Sequence, residues 1–161
     1  MIEVETLHHV SISVTDLARA KQFYGRVLGL REISRPPFDF LGAWYRLGDR
    51  QLHLIVHPGT RTLRGTTVIE SREGHFGIRV RSYRKTLEHL MAHGVPIRDR
   101  PHNLTPWPQI YVTDPDGNVI ELNAERLDCT RSRRSFTGSP SVFTSWAFQP
   151  AFGVTGSPPH G

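Results

Sequence analysis

The sequence predicts an α+β fold built from two similar modules. Three observations carry this prediction. Alternating apolar runs recur along the chain: H-V-S-I-S-V from His9, Q-L-H-L-I-V around His53, H-F-G-I-R-V from His75 and V-I-E-L-N from Val119. Two amphipathic helical stretches each follow directly on one of these runs. The order strand, helix, short meander then occurs twice, over about residues 7–57 and 74–123.

The first module opens on the run from His9. Thr15 or Asp16 can cap the helix that follows, whose apolar stripe is Leu17, Ala20, Tyr24, Val27 and Leu28. The run A-W-Y-R-L, a tight G-D-R turn and Q-L-H-L-I-V then read as a hairpin. The second module opens on the run from His75. Its helix is capped by Ser82, carries the stripe Tyr83, Leu87, Leu90 and Met91, and is stopped by Gly94. Q-I-Y-V-T, the turn D-P-D-G-N and V-I-E-L-N form its hairpin, with Pro115 and Gly117 supplying the turn chemistry. From Glu125 onward alternation stops, and Ser, Thr, Gly and Pro make up about half of the residues, the composition of an irregular or disordered segment. The expected organisation is one folded domain over residues 1–124 and a tail over 125–161. Phe136, Phe143, Trp146, Phe148 and Phe152 punctuate the tail, so an arm that covers the site or docks on a partner is the alternative.

Successive side chains on a strand point to opposite faces. His9, Ser11 and Ser13 oppose Val10, Ile12 and Val14, and Gln51, His53 and Ile55 oppose Leu52, Leu54 and Val56. In the second module His75, Gly77 and Arg79 oppose Phe76, Ile78 and Val80, while Val119, Glu121 and Asn123 oppose Ile120 and Leu122. His9, His53, His75 and Glu121 therefore all lie away from the aliphatic side. With the aliphatic faces packed under the helices, these four line a concave surface. His9, His75 and Glu121 taken alone are each more often structural; the set of four, matched in parity and paired by the repeat as His9 with His75 and His53 with Glu121, points to one divalent metal ion. Three imidazoles and a carboxylate suit zinc, nickel, manganese or iron. Tyr111 and Gln109 share a face, with Tyr111 a candidate donor to a substrate oxygen. Trp44 and Arg46 share another, and Arg79 is placed either to hold a substrate anion by a bidentate contact or to form a surface ion pair.

Composition sets outer bounds. A chain of 161 residues is most simply one domain with a real core. The net charge of +5 comes from arginines scattered along the chain, a solvated surface rather than a nucleic-acid face; only Arg131, Arg133 and Arg134 cluster. No apolar stretch is long enough to span a bilayer, and M-I-E-V-E-T-L-H-H lacks the apolar core of a signal peptide. Cys129 is the single cysteine, which excludes an internal disulfide. The expectation is a cytoplasmic protein with a small-molecule substrate and no nucleic-acid or membrane partner.

Taken together, H-H-V-S-I-S-V-T-D-L, F-Y-G-R-V-L-G-L, L-G-D-R-Q-L-H-L-I, G-H-F-G-I-R-V and Y-V-T-D-P-D-G-N-V-I-E-L resemble the vicinal oxygen chelate (VOC) superfamily. That group contains glyoxalases, extradiol dioxygenases, fosfomycin-modifying transferases and bleomycin-resistance proteins, and the resemblance covers about Leu7 to Asn123. It implies a pair of βαβββ modules forming a cup-shaped mixed β-sheet with helices on the outer face. It also implies His9, His75 and Glu121 as metal ligands. His53 stands where glyoxalase I has a metal-binding glutamate that also moves the substrate proton; a histidine can both bind metal and act as a base. The implied activity is metal-dependent glyoxalase-like lyase or isomerase chemistry, with Tyr111 and His53 catalytic and Arg79, Gln109 and Trp44 binding substrate. The run from His102 through Ile110, Tyr111, Asp114, Pro115, Gly117 and Glu121 also looks like the extradiol dioxygenase signature, with Asp99-Arg100-Pro101 where its usual glycine precedes the histidine. A ring-cleaving dioxygenase with His9, His75 and Glu121 on iron is therefore the alternative. A metal-free bleomycin-resistance-like binding protein is a third reading, against which the retained ligand set argues. The resemblance further implies a homodimer.

Overall fold

The computed structural model describes residues 1–128; Cys129, the basic cluster and the tail aromatics lie outside the described residues. The described residues form one compact unit. Its elements are β1 (His9–Val14), α1 (Leu17–Lys21), β2 (Glu32–Ile33), β3 (Gly42–Leu47), β4 (Arg50–Val56), β5 (His75–Val80), α2 (Tyr83–Ala92), β6 (Ile97–Arg100), β7 (Gln109–Thr113) and β8 (Val119–Ala124). They build two four-stranded mixed sheets, in the orders β1-β4-β3-β2 and β5-β8-β7-β6. In each, the opening strand runs parallel to the last and the others pair antiparallel. The βαβββ repeat is therefore present twice. β2 and β6, of two and four residues, are too short to announce themselves by alternation. Among the described residues no helix is long and apolar enough to cross a membrane.

Local chemistry sets the helix ends. The Asp16 side chain accepts from Arg19 N at 2.8 Å and Ser82 Oγ from Lys85 N at 3.1 Å, each closing an otherwise unpaired amide of the first turn. The first helix departs from the expected 3.6-residue stripe. After Lys21 it widens into a π-helical segment, Gln22–Val27, in which Leu28 N donates to Phe23 O at 2.8 Å. The extra residue in the turn brings Phe23 and Tyr24 inward together, to 7% and 0% exposure. The stripe read at helical period contains Tyr24 but not Phe23.

The aliphatic strand faces and the helices share one core, which joins Val14, Leu52 and Leu54 of the first module to Leu90, Ile110 and Ile120 of the second. Each such buried side chain contributes about 1.5–3 kcal/mol. The turn after β7 ties the modules together. Asp114 is 1% exposed and accepts from Tyr24 Oη, Asn118 Nδ2 and the amides of Asp116 and Asn118. Asp116 accepts from Thr15, and Asn118 Nδ2 donates to Ser13 O. Gly117 sits at φ +85, and a Cβ there would lie 2.1 Å from the Thr66 carbonyl oxygen, so the turn admits only glycine.

Candidate metal centre in two half-sites

The two sheets present the same diagonal arrangement. In the first, Ser11 is in register with His53, so His9 and His53 sit diagonally on parallel neighbours. In the second, Gly77 is in register with Glu121, so His75 and Glu121 do the same. The repeat pairing read from the sequence is thus a pairing of register positions. The four side chains are brought together two by two. Among the described residues no three His, Cys, Asp or Glu side chains gather where they could hold one ion.

The second-sheet pair is locked. Glu121 is 7% exposed. Its Oε2 accepts from Tyr111 Oη at 2.8 Å and Gln109 Nε2 at 2.9 Å, and its Oε1 accepts from Asn123 Nδ2 at 2.6 Å. Burial alone would raise this carboxyl; the bonds from Asn123, Tyr111 and Gln109, with His75 beside it, outweigh burial and hold it below the ordinary range. Burial and the Glu121 charge push the Tyr111 hydroxyl up to about 12, so it stays a donor. His75 Nδ1 lies 2.8 Å from the Glu73 carbonyl oxygen. A carbonyl only accepts, so Nδ1 carries a proton there, and Nε2 is the nitrogen turned toward Glu121. Nε2 lies 3.4 Å from Glu121 Oε2. This is about the edge of a tetrahedron around an ion with bonds of roughly 2.1 Å. The spacing suits two ligands of one divalent ion, and because Oε2 already accepts from Tyr111 and Gln109, one of these donors must shift for Oε2 to bind it.

The first-sheet pair is a stack. The His9 and His53 rings lie 4.3 Å apart at 18°, and the other face of His53 meets Trp44 at 3.9 Å and 6°. His53 Nε2 bonds Gln51 Oε1 at 2.8 Å, and His9 Nδ1 is 2.9 Å from His8 Nδ1. Burial, then the neighbouring His9 and His8, lower the His53 pKa, which keeps the ring neutral and able to take a metal or a proton. Imidazole lone pairs lie in the ring plane. Two parallel rings do not aim them at one point, so with His53 buried against Trp44 this pair takes an ion only after the exposed His9 ring turns.

Of the other predicted site residues, Trp44 packs on His53, while Tyr111 and Gln109 are both committed to Glu121. Arg79 is exposed, its guanidinium 5.4 Å over the Trp107 ring. His57 and His102 are exposed in loops. The roles of Gln51 and Asn123 were not assigned from sequence. Their signal was present, since each lies two residues from a ligand candidate and shares its face. The Glu73 carbonyl left no signal, because a backbone contact is independent of residue type.

Residues 6–122 match the family model described as the Glyoxalase/Bleomycin resistance protein/Dioxygenase superfamily. Among curated proteins, Glyoxylase I 4 of Arabidopsis thaliana is 28% identical over 125 residues, covering 75% of this chain and 71% of the relative. A glyoxalase family protein of Bacillus anthracis shares the fold at TM-score 0.64 and 22% identity, covering 77% of this chain and 98% of that one. The fosfomycin resistance protein FosX of Listeria monocytogenes shares it at TM-score 0.61 and 21% identity, covering 78% and 100%. At these identities the solved structures show the fold alone.

Proposed function

This chain belongs to the Glyoxalase/Bleomycin resistance protein/Dioxygenase superfamily, and from that premise we propose that it is a divalent-metal enzyme of glyoxalase-like lyase or isomerase chemistry acting on a small oxygen-bearing substrate. One observation carries the reading: His75 Nε2, 3.4 Å from Glu121 Oε2, faces a carboxylate held ionised by three donors. A FosX variant complexed with Mn(II) and 1S,2S-dihydroxypropylphosphonic acid supports a divalent ion in a protein of this fold.

His9, His53, His75 and Glu121 would hold the ion. When bound, it supplies Lewis-acid polarisation of a coordinated substrate oxygen. Glu121 stays ionised because Tyr111, Gln109 and Asn123 donate to it, so Tyr111 and Gln109 act as positioning residues through that carboxylate. His53 donates through Nε2 to Gln51 Oε1 and has one lone pair left, on Nδ1, so it would take the substrate proton only with that nitrogen off the ion. Within one chain the two pairs stand on different sheets. This supports a homodimer in which the His9–His53 pair of one chain meets the His75–Glu121 pair of the other.

The test is a mixing experiment. Chains carrying His9→Ala with His53→Ala, and chains carrying His75→Ala with Glu121→Ala, are inactive separately. Mixed through a denaturation cycle, they regain Mn(II) binding and consumption of the methylglyoxal–thiol adduct, at about half the wild-type site count or less. No recovery, with folded mixed dimers present, refutes the shared site. Oxygen consumption with catechols in place of adduct turnover would move the protein to the dioxygenase branch.

A further inference from the structure

A cavity of about 650 Å³ opens at the seam between the two sheets, a volume typical of small-molecule sites. Val10, Leu30, Phe76 and Ile78 contribute apolar walls, and Gln51, His75, Arg46, Arg50 and Arg79 contribute the polar side chains; no carboxylate lines it. Arg50 is paired with Asp49 at 2.6 Å. Among the described residues Arg46 and Arg79 form no ion pair. They reach the cavity from different sheets. Arg46 stands on β3 in register with Gln51, and Arg79 on β5 in register with Asn123. Packing against Trp107 steadies the Arg79 guanidinium without neutralising it. Two unpaired guanidiniums over an acid-free, largely apolar wall concentrate positive potential, and the planar fork matches a carboxylate.

We propose that this seam cavity binds the substrate's anionic end, and that the substrate is a small amphipathic organic acid. Its carboxylate is held by Arg46 and Arg79, and its apolar body lies against Val10 and Phe76. His75, which lines the same cavity, places the other end of the molecule at the His75–Glu121 pair. Only that last contact rests on the metal reading above; the anion contacts need no metal.

Hexanoate, titrated by calorimetry into the full chain stripped of metal with chelator, tests the assignment. Hexanoate binds and 1-hexanol does not match it. Arg46→Gln and Arg79→Gln each weaken hexanoate about tenfold or more, whereas Arg84→Gln, which touches no part of the cavity, leaves it unchanged. Absence of hexanoate binding, equal binding of hexanol, or equal weakening by Arg84→Gln overturns the proposal. If the cavity variants do not fold, the hexanoate–hexanol comparison on the unmutated chain decides. Mn(II) binding, followed in parallel by electron paramagnetic resonance, separates the two readings. Hexanoate binding without Mn(II) binding removes the metal and keeps the cavity; Mn(II) binding without hexanoate binding does the reverse.

Discussion

Trp44 and His53 stack face to face across the β3–β4 pair, ring centroids 3.9 Å apart and planes 6° from parallel. With His9 on its opposite face, His53 is held as the middle ring of three. Trp44 thus fixes the orientation of a candidate ligand without having any ligand atom itself. Trp44→Ala should weaken Mn(II) binding about tenfold while leaving the His75–Glu121 half-site intact. The check pairs Mn(II) titration with the imidazole NMR signals: the His53 resonance moves and that of His75 does not. Unchanged metal affinity would dismiss the positioning role.

The depressed His53 pKa makes a pH prediction with a definite sign. The folded ring binds its proton less tightly than the unfolded chain does, so between the lowered value and the ordinary 6.5 the unfolded state carries more protons. The contribution is present in full above 6.5 and is lost as pH falls through the folded value. Thermal melts of metal-free protein should fall between about pH 7.5 and about pH 5.5, and His53→Gln should fall less steeply. Parallel curves for the two proteins would exclude His53 as the source.

The three donors to Glu121 keep that carboxylate charged. Tyr111→Phe and Asn123→Ala each remove one donor, so the carboxyl rises toward its ordinary range and competes with protons sooner on acidification. Both variants should release Mn(II) at higher pH than the unmutated chain and bind it roughly 10-fold more weakly near neutrality. Retained metal across a pH series is the measurement, and a wild-type release curve from Tyr111→Phe would show that its hydroxyl does not hold the carboxylate.

Asp114 anchors the turn between β7 and β8 and takes Tyr24 Oη from the other module at 2.8 Å. Asp114→Ala strands several buried donors and should cost about 3 kcal/mol in urea unfolding. Tyr24→Phe removes one of those bonds and should cost about 1 kcal/mol. Measured together with the double variant, the coupling energy reports the bond between modules, and additive losses would mean that it contributes nothing.

Much of this was legible in the sequence. The Ser82 cap acts within three residues and Gly117 through the positive φ of its own turn, so local chemistry pointed to both, and narrowed the first cap to Thr15 or Asp16; the Thr66 carbonyl that also excludes a Cβ at Gly117 is distant in sequence. Alternation around His9, His53, His75 and Glu121 specified their faces, because side-chain direction in a strand has a fixed period of two. The repeat specified which of the four correspond. The π-helical turn that buries Phe23 beside Tyr24 was hidden, since a widened turn breaks the very periodicity used to read it. Alternation states which face a residue takes and nothing about how two sheets are disposed. Only the tertiary structure could therefore separate the four into two pairs, set His53 in a stack between Trp44 and His9, gather Tyr111, Gln109 and Asn123 onto one carboxylate, and bring Arg46 and Arg79 to a common cavity.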